Sequence, residues 1–135
     1  MEFKTFFEQF KERAGRQDLN YLKETISEDL QAREIRNGEV VDYHFEDSIS
    51  GWKQAFDYFA EKDMEWIYTD HSFIQLCDDE WLAAFWVSIY LEGKLLESSN
   101  LFFNSYRYEN DHWKLIRTYI EAGVETPLAV KEACS

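Results

Sequence analysis

Little in this chain could cross-link it or hold a metal. It has two cysteines, Cys77 and Cys134, and three histidines, with no CxxC pair and no metal-ligand spacing among them. No metal and no cofactor are therefore expected, and a reduced, cytoplasmic setting is the simplest reading. Cys77 alternates with apolar neighbours, the pattern of a buried thiol, while Cys134 falls on an expected tail. A single proline, Pro127, and five glycines leave no linker and no low-complexity stretch. There is no glycine-rich phosphate loop. No apolar run approaches a membrane span, and the opening Met1-Glu-Phe-Lys-Thr-Phe-Phe-Glu has neither a signal core nor a cleavage site. Cationic residues are few: 14 Lys and Arg stand against 27 Asp and Glu, for a net charge of −13. They are scattered rather than clustered. Nucleic acid and anionic membrane surfaces, both polyanions, are therefore disfavoured as partners, and solubility is the plain meaning of the acidity.

What the chain does have is apolar and aromatic mass. Hydrophobic residues make up 45% and aromatics 18% of 135 residues, enough for one well-packed domain. We place it at 1–124, with 125–135 as a C-terminal tail. Phe3, Phe6, Phe7 and Phe10 fall at i, i+3, i+4 and i+7, the stripe of an amphipathic helix, which Gly15 ends. Asp18 is placed to cap a second short helix carrying Leu19, Leu22 and Ile26. Ala32 to Arg36 and Glu39 to Phe45 flank Asn37-Gly38, the strongest short hairpin signal. A third helix follows, capped by Asp47 or Ser50, with Trp52, Ala55, Phe56 and Phe59 on one face.

From Met64 to Gly123 the pattern is four long strands joined by tight turns. Trp81–Glu92 and Lys94–Tyr108 flank Gly93, and Asp78-Asp79 and Asn110-Asp111 mark the other joins. These strands are about twice the usual 5–6 residues. The order predicts an α+β domain: a strongly curved, cone-shaped mixed or antiparallel sheet, three helices from the N-terminal half covering one face, and a pocket between. Alternation puts Trp81, Phe85, Asn100, Phe102, Asn104, Tyr106, Ile116, Thr118, His71, Phe73 and Cys77 on one face. Trp86, Tyr90, Leu101, Phe103, Leu115, Tyr119 and Asp70 fall on the other. Neither face is simply polar. Helices cover one, and a second copy of the chain is the natural cover for the other, so a homodimer through the outer sheet face is expected.

Ser50-Gly51 opening the third helix, the run Glu80-Trp-Leu-Ala-Ala-Phe-Trp-Val-Ser-Ile-Tyr-Leu-Glu-Gly93, and the strands around Tyr106-Arg107-Tyr108 and Leu115–Ile120 resemble the nuclear transport factor 2-like superfamily, which includes SnoaL-like cyclases and ketosteroid isomerases. The resemblance runs from Phe3 to about Val124. It implies that the face with Phe85, Asn104 and Thr118 lines a pocket and that the other face meets a partner. It also implies a proton-shuttling carboxylate before the third helix, matched by Asp42 or, if the hairpin aligns from its first strand, by Glu34. The family's protonated acid falls at Asn104 and its tyrosine at Phe10. Phe10 has no hydroxyl, and Asn104 donates less strongly than a tuned acid.

Each candidate has a plainer alternative. Asp42 is a general base if an apolar pocket raises its pKa, or a cross-hairpin partner of Arg33. Glu34 is a base or edge-strand surface. Asn100 and Asn104 orient a ligand carbonyl, or are satisfied by neighbouring protein groups. His44 and His71 sit at the mouth and rim, or pack. Trp81, Phe85, Phe102 and Tyr106 form an aromatic wall or ordinary core. Ser72 lies beside a histidine but lacks an orienting third group, so a hydrolase triad is not supported. Three functions follow: a pocket for an apolar or ring-containing ligand; a cofactor-independent isomerase, cyclase or dehydratase using Asp42 or Glu34; and a dimerisation module with a vestigial pocket.

Overall fold

The computed structural model describes residues 1–133; Cys134 lies outside them. Helices α1 (Phe3–Gly15) and α2 (Leu19–Thr25) precede the hairpin of β1 (Ile26–Arg36) and β2 (Glu39–Tyr43). Helix α3 (Phe45–Phe59) follows, then β3 (Met64–Cys77), β4 (Glu80–Leu91), the two-residue β5 (Lys94–Leu95), β6 (Ser98–Glu109), β7 (His112–Glu125) and α4 (Leu128–Ala133). The strands form one sheet in the order β2-β1-β7-β6-β4-β3, with β5 beside β4. All pairs are antiparallel except β1 with β7, so the sheet is mixed. The expected α+β class and N-terminal helical cover are found. No helix of the described residues is long and apolar enough to cross a membrane.

Local chemistry explains the main joints. Asp18 accepts from the Tyr21 N–H at 3.1 Å and caps α2. Asn37 and Gly38 both take positive φ, 52° and 79°, as a two-residue hairpin turn demands. Helix α3 starts earlier than the sequence suggests. His44 is its N-cap, and Asp47, one of the residues expected to cap, instead accepts from the His44 N–H in the first turn at 3.4 Å. Ser50, the other, lies within the helix.

The core is aromatic. Phe3, Phe6, Phe7 and Phe10 bury the α1 stripe against Phe85, Phe102 and Tyr106 of the sheet. Trp81 belongs to this core, stacked on Phe3 at 5.3 Å, and Tyr106 is fully buried among Phe3, Phe6, Phe7 and Phe10.

Two bulges alter the expected faces. A shift between Asp70 and Ser72 leaves His71 unpaired. Asp70 then points inward to Lys11 of α1, at 2.9 Å, while His71 is exposed and packs edge-on against Trp86 of the outer face at 5.3 Å. His71 is therefore not at the pocket rim. A second shift, between Ser105 and Tyr106, pairs Tyr106 with Leu115 and turns Leu115 inward.

Cys77 is exposed, not buried, because it closes β3 at the sheet edge, where its thiol donates to Asp79 at 3.2 Å. Part of the stretch after Val124 packs on the domain. Thr126 and Val130 are buried, and Ser88, Ser99 and Thr126 form a hydroxyl chain (2.8 and 2.7 Å) that ends on the Leu96 carbonyl at 2.9 Å.

Candidate functional site

Strand alternation and register build the site in rows. Asn104 pairs with Thr118, and Thr118 lies beside Ala32, which faces Tyr43. In the next row Phe85 pairs with Phe102, Phe102 with Ile120, Ile120 with Glu34 and Glu34 with Val41. Helix α3 roofs these rows with Ser48, Gly51, Trp52 and Ala55, and Trp66 and Tyr68 of β3 close the far side. Between them lies a cavity of about 700 Å³. It is within the usual range for small-molecule sites.

Glu34, Asp42, Phe85, Asn100, Phe102, Asn104 and Thr118 are brought together here. Phe10 also lines the cavity, so its missing hydroxyl is missing from this wall. Trp81, Tyr106, His44 and His71 do not line it. The His44 ring nitrogen Nδ1 lies 3.3 Å from the Leu30 carbonyl, which ties it to the β1 backbone.

The two carboxylates differ in their partners. Arg33 and Asp42 are register partners, so they share the face opposite Glu34 and Val41. Arg33 grips Asp42 with two hydrogen bonds, 2.6 and 2.9 Å. The guanidinium holds the Asp42 carboxyl below the usual carboxylate range, which weakens it as a base. A group with a depressed folded pKa contributes stability above its unfolded pKa and loses it as pH falls through the folded value. In Arg33→Met, the Asp42 carboxyl should rise back toward the ordinary carboxylate range. Carbonyl-detected NMR titration reads this directly, and an unmoved Asp42 midpoint would refute the assignment.

Glu34 is on the cavity side, with Arg36 beside it at 3.5 Å. Tyr43, at the end of the neighbouring row, has its phenol pushed up to about 12 by burial and by the Glu34 charge. Both asparagines are partly committed. The Asn100 amide oxygen accepts from the Gly123 N–H at 3.1 Å, which satisfies a backbone group at a register shift where Gly123 has φ 71°. Asn104 donates to the Tyr106 oxygen at 2.9 Å and accepts from the Thr118 hydroxyl.

Sequence reasoning missed Arg36, Trp52, Trp66, Tyr68 and Leu115 as lining residues. Arg36 was findable, because it alternates with Glu34 on the same strand. Among the described residues the one tight set of potential metal ligands is Cys77, Asp79 and Glu80, away from the cavity. The Glu80 oxygens are already held by Arg107 and Arg117 at 2.6 and 3.1 Å.

No protein-family model matches the sequence, and no curated protein does. Solved structures do. An NTF2-like protein with a cystatin-like fold from Novosphingobium aromaticivorans superposes with a TM-score of 0.69 over 99% of this chain and 87% of its own, at 12% identity. A protein of unknown function with a cystatin-like fold from Nostoc punctiforme gives 0.64 over 94% and 92%, at 19% identity. An NTF2-like protein of unknown function from Silicibacter pomeroyi gives 0.65 over 88% and 91%, at 15% identity. With a mixed sheet, an N-terminal helical cover and these neighbours, the chain has the NTF2-like, cystatin-like fold.

Proposed function

We propose that this protein binds a flat, apolar or ring-containing small molecule in the cavity between α3 and the inner sheet face. One observation carries the reading: a cavity of about 700 Å³ with an aromatic wall of Trp52, Trp66, Tyr68, Phe85 and Phe102, facing polar groups that include Glu34, Arg36, Asn100, Asn104 and Thr118. Native mass spectrometry of protein purified from its own host tests it. A stoichiometric small molecule that is lost in a cavity-filling Ala55→Trp variant is the expected result. A mass matching the bare chain, together with no binding of any planar aromatic, would overturn it.

A second reading, a cofactor-independent isomerase, cyclase or dehydratase, is favoured by the position of Glu34. Both hairpin carboxylates border the cavity, but the Asp42 carboxylate is engaged by Arg33, whereas Glu34 lies in the row of Phe102 and Ile120. With Glu34 as general base, Glu34→Gln should lower turnover by about 10²–10⁴-fold while ligand affinity is kept, and Asp42→Asn should leave turnover intact. Equal loss in both variants would sink this assignment.

We further propose that a second copy of the chain covers the outer sheet face. Ile74, Leu76 and Tyr119 are exposed in the single chain, beside half-buried Trp86 and Phe103. Sedimentation should show a dimer. Phe103→Asp should weaken it by roughly 30-fold or more, since a central aromatic contributes about 2 kcal/mol or more. A monomeric wild type refutes the proposal.

A further inference from the structure

One residue that lines the cavity, Tyr68, has a buried hydroxyl with no hydrogen-bond partner. Only two buried side-chain polar atoms among the described residues lack a partner, the Tyr21 and Tyr68 hydroxyls, and of these residues Tyr68 alone lines the cavity. Buried polar groups are nearly always paired, and an unpaired one carries a free-energy cost. The hydroxyl is shielded from bulk water, so solvent does not supply the missing bond. Burial pushes its pKa far up, which keeps the proton on the oxygen and leaves it a neutral donor.

The neighbouring polar atoms show what kind of partner is lacking. At Asn104 the carbonyl oxygen is taken by the Thr118 hydroxyl, and the Tyr106 oxygen is taken by an Asn104 N–H. These two acceptors are engaged with each other's side chains or with Thr118, whereas the Tyr68 hydroxyl keeps an unused donor. The Tyr68 ring lies near-parallel to Phe85 (6.0 Å, 27°), Phe85 to Phe102 (5.3 Å, 7°) and Phe102 to Trp52 (6.4 Å, 18°). That row is a surface for a planar molecule. Strand β3 is the sheet edge and pairs only with β4, so the wall bearing Tyr68 has room to adjust when a ligand arrives.

We propose that the Tyr68 hydroxyl donates a hydrogen bond to a neutral oxygen acceptor, a ketone or related carbonyl, on a planar ring-containing ligand lying along the Tyr68–Phe85–Phe102–Trp52 row. This rests on the cavity being a ligand site, and it adds the ligand's polar group and the residue that reads it.

Two probes of nearly equal shape separate the claims: 2-acetylnaphthalene, which has the acceptor, and 2-isopropylnaphthalene, which does not. Binding is followed by quenching of Trp52 and Trp66, in wild type and Tyr68→Phe. The variant should weaken the ketone by about 3- to 10-fold and leave the hydrocarbon within about twofold. Equal effects on both probes, or none, overturn the role of Tyr68 while leaving the cavity a binding site. If neither probe binds the wild type, the cavity reading fails and this proposal falls with it. The infrared carbonyl stretch of bound 2-acetylnaphthalene gives a readout that does not need the variant to fold. It should lie below its position in cyclohexane, and an unshifted band overturns the proposal. If Tyr68 instead holds a structural water, Tyr68→Phe shifts the melting temperature and not the ketone affinity, which also counts against it.

Discussion

Phe7→Ala is expected to lower the free energy of unfolding by about 3–5 kcal/mol, the usual range for truncating a buried phenylalanine. Phe7 has no exposed surface and touches rings from both layers of the domain: Phe3 and Phe10 on its own helix, and Phe73, Phe85 and Tyr106 on three strands. The space left cannot collapse easily, because each neighbour is itself held by other rings. For a chain of this length the melting temperature should fall by roughly 10–20 °C. Thermal unfolding followed by circular dichroism measures it. A loss under about 1 kcal/mol would mean that α1 is not the main cover of the sheet.

The second large effect belongs to Asn104. Asn104→Leu keeps the volume and removes a bridge between Thr118 and Tyr106. Both partners are buried, so their hydroxyls lose a bond that water cannot replace. The expected loss is about 2–4 kcal/mol, one unsatisfied group at about 1–3 kcal/mol with a second beside it. The double variant Asn104→Leu/Tyr106→Phe should recover part of this, because the orphaned hydroxyl is gone. Denaturant unfolding of the single and double variants forms a cycle. Strict additivity would show that the two side chains do not depend on each other. The same cycle separates a structural Asn104 from one reserved for a ligand, since a ligand-only role leaves stability nearly unchanged.

Much of the scaffold was legible because local and global signals agree. The Phe3-Phe6-Phe7-Phe10 spacing, Asp18 before α2 and Asn37-Gly38 between β1 and β2 each specify their own structure. Alternation along β4 and β6 also identified Phe85, Phe102, Asn100 and Asn104 as one face, and they line the cavity. What could not be read were the shifts in register. A bulge has no fixed residue signature, yet it inverts every later side chain on its strand. That is why His71 and Leu115 are each on the face opposite to the one alternation gives, and why Trp66 and Tyr68, on the far side of the Asp70–Ser72 bulge, were not connected to the cavity. Trp81 and Tyr106 share a face with the lining residues but sit under α1, and a helix's footprint on a sheet is a tertiary fact. The docking of Thr126 and Val130 likewise depends on Ser99, far away in sequence.

The single parallel pairing has a consequence for the order of assembly. Strand β1, near the start of the chain, has β2 on one side and β7, near its end, on the other. Glu34 and Arg36 therefore have no fixed place until residues as late as Ala122 have joined the sheet. Long-range closure of this kind is slow compared with hairpin formation. During synthesis, the apolar stripe of α1 emerges before β4 and β6 and waits for them before it can be buried. Throughout that interval the nascent chain presents four phenylalanines to its surroundings, so holding chaperones should engage it through α1 and release it once β4 and β6 have arrived.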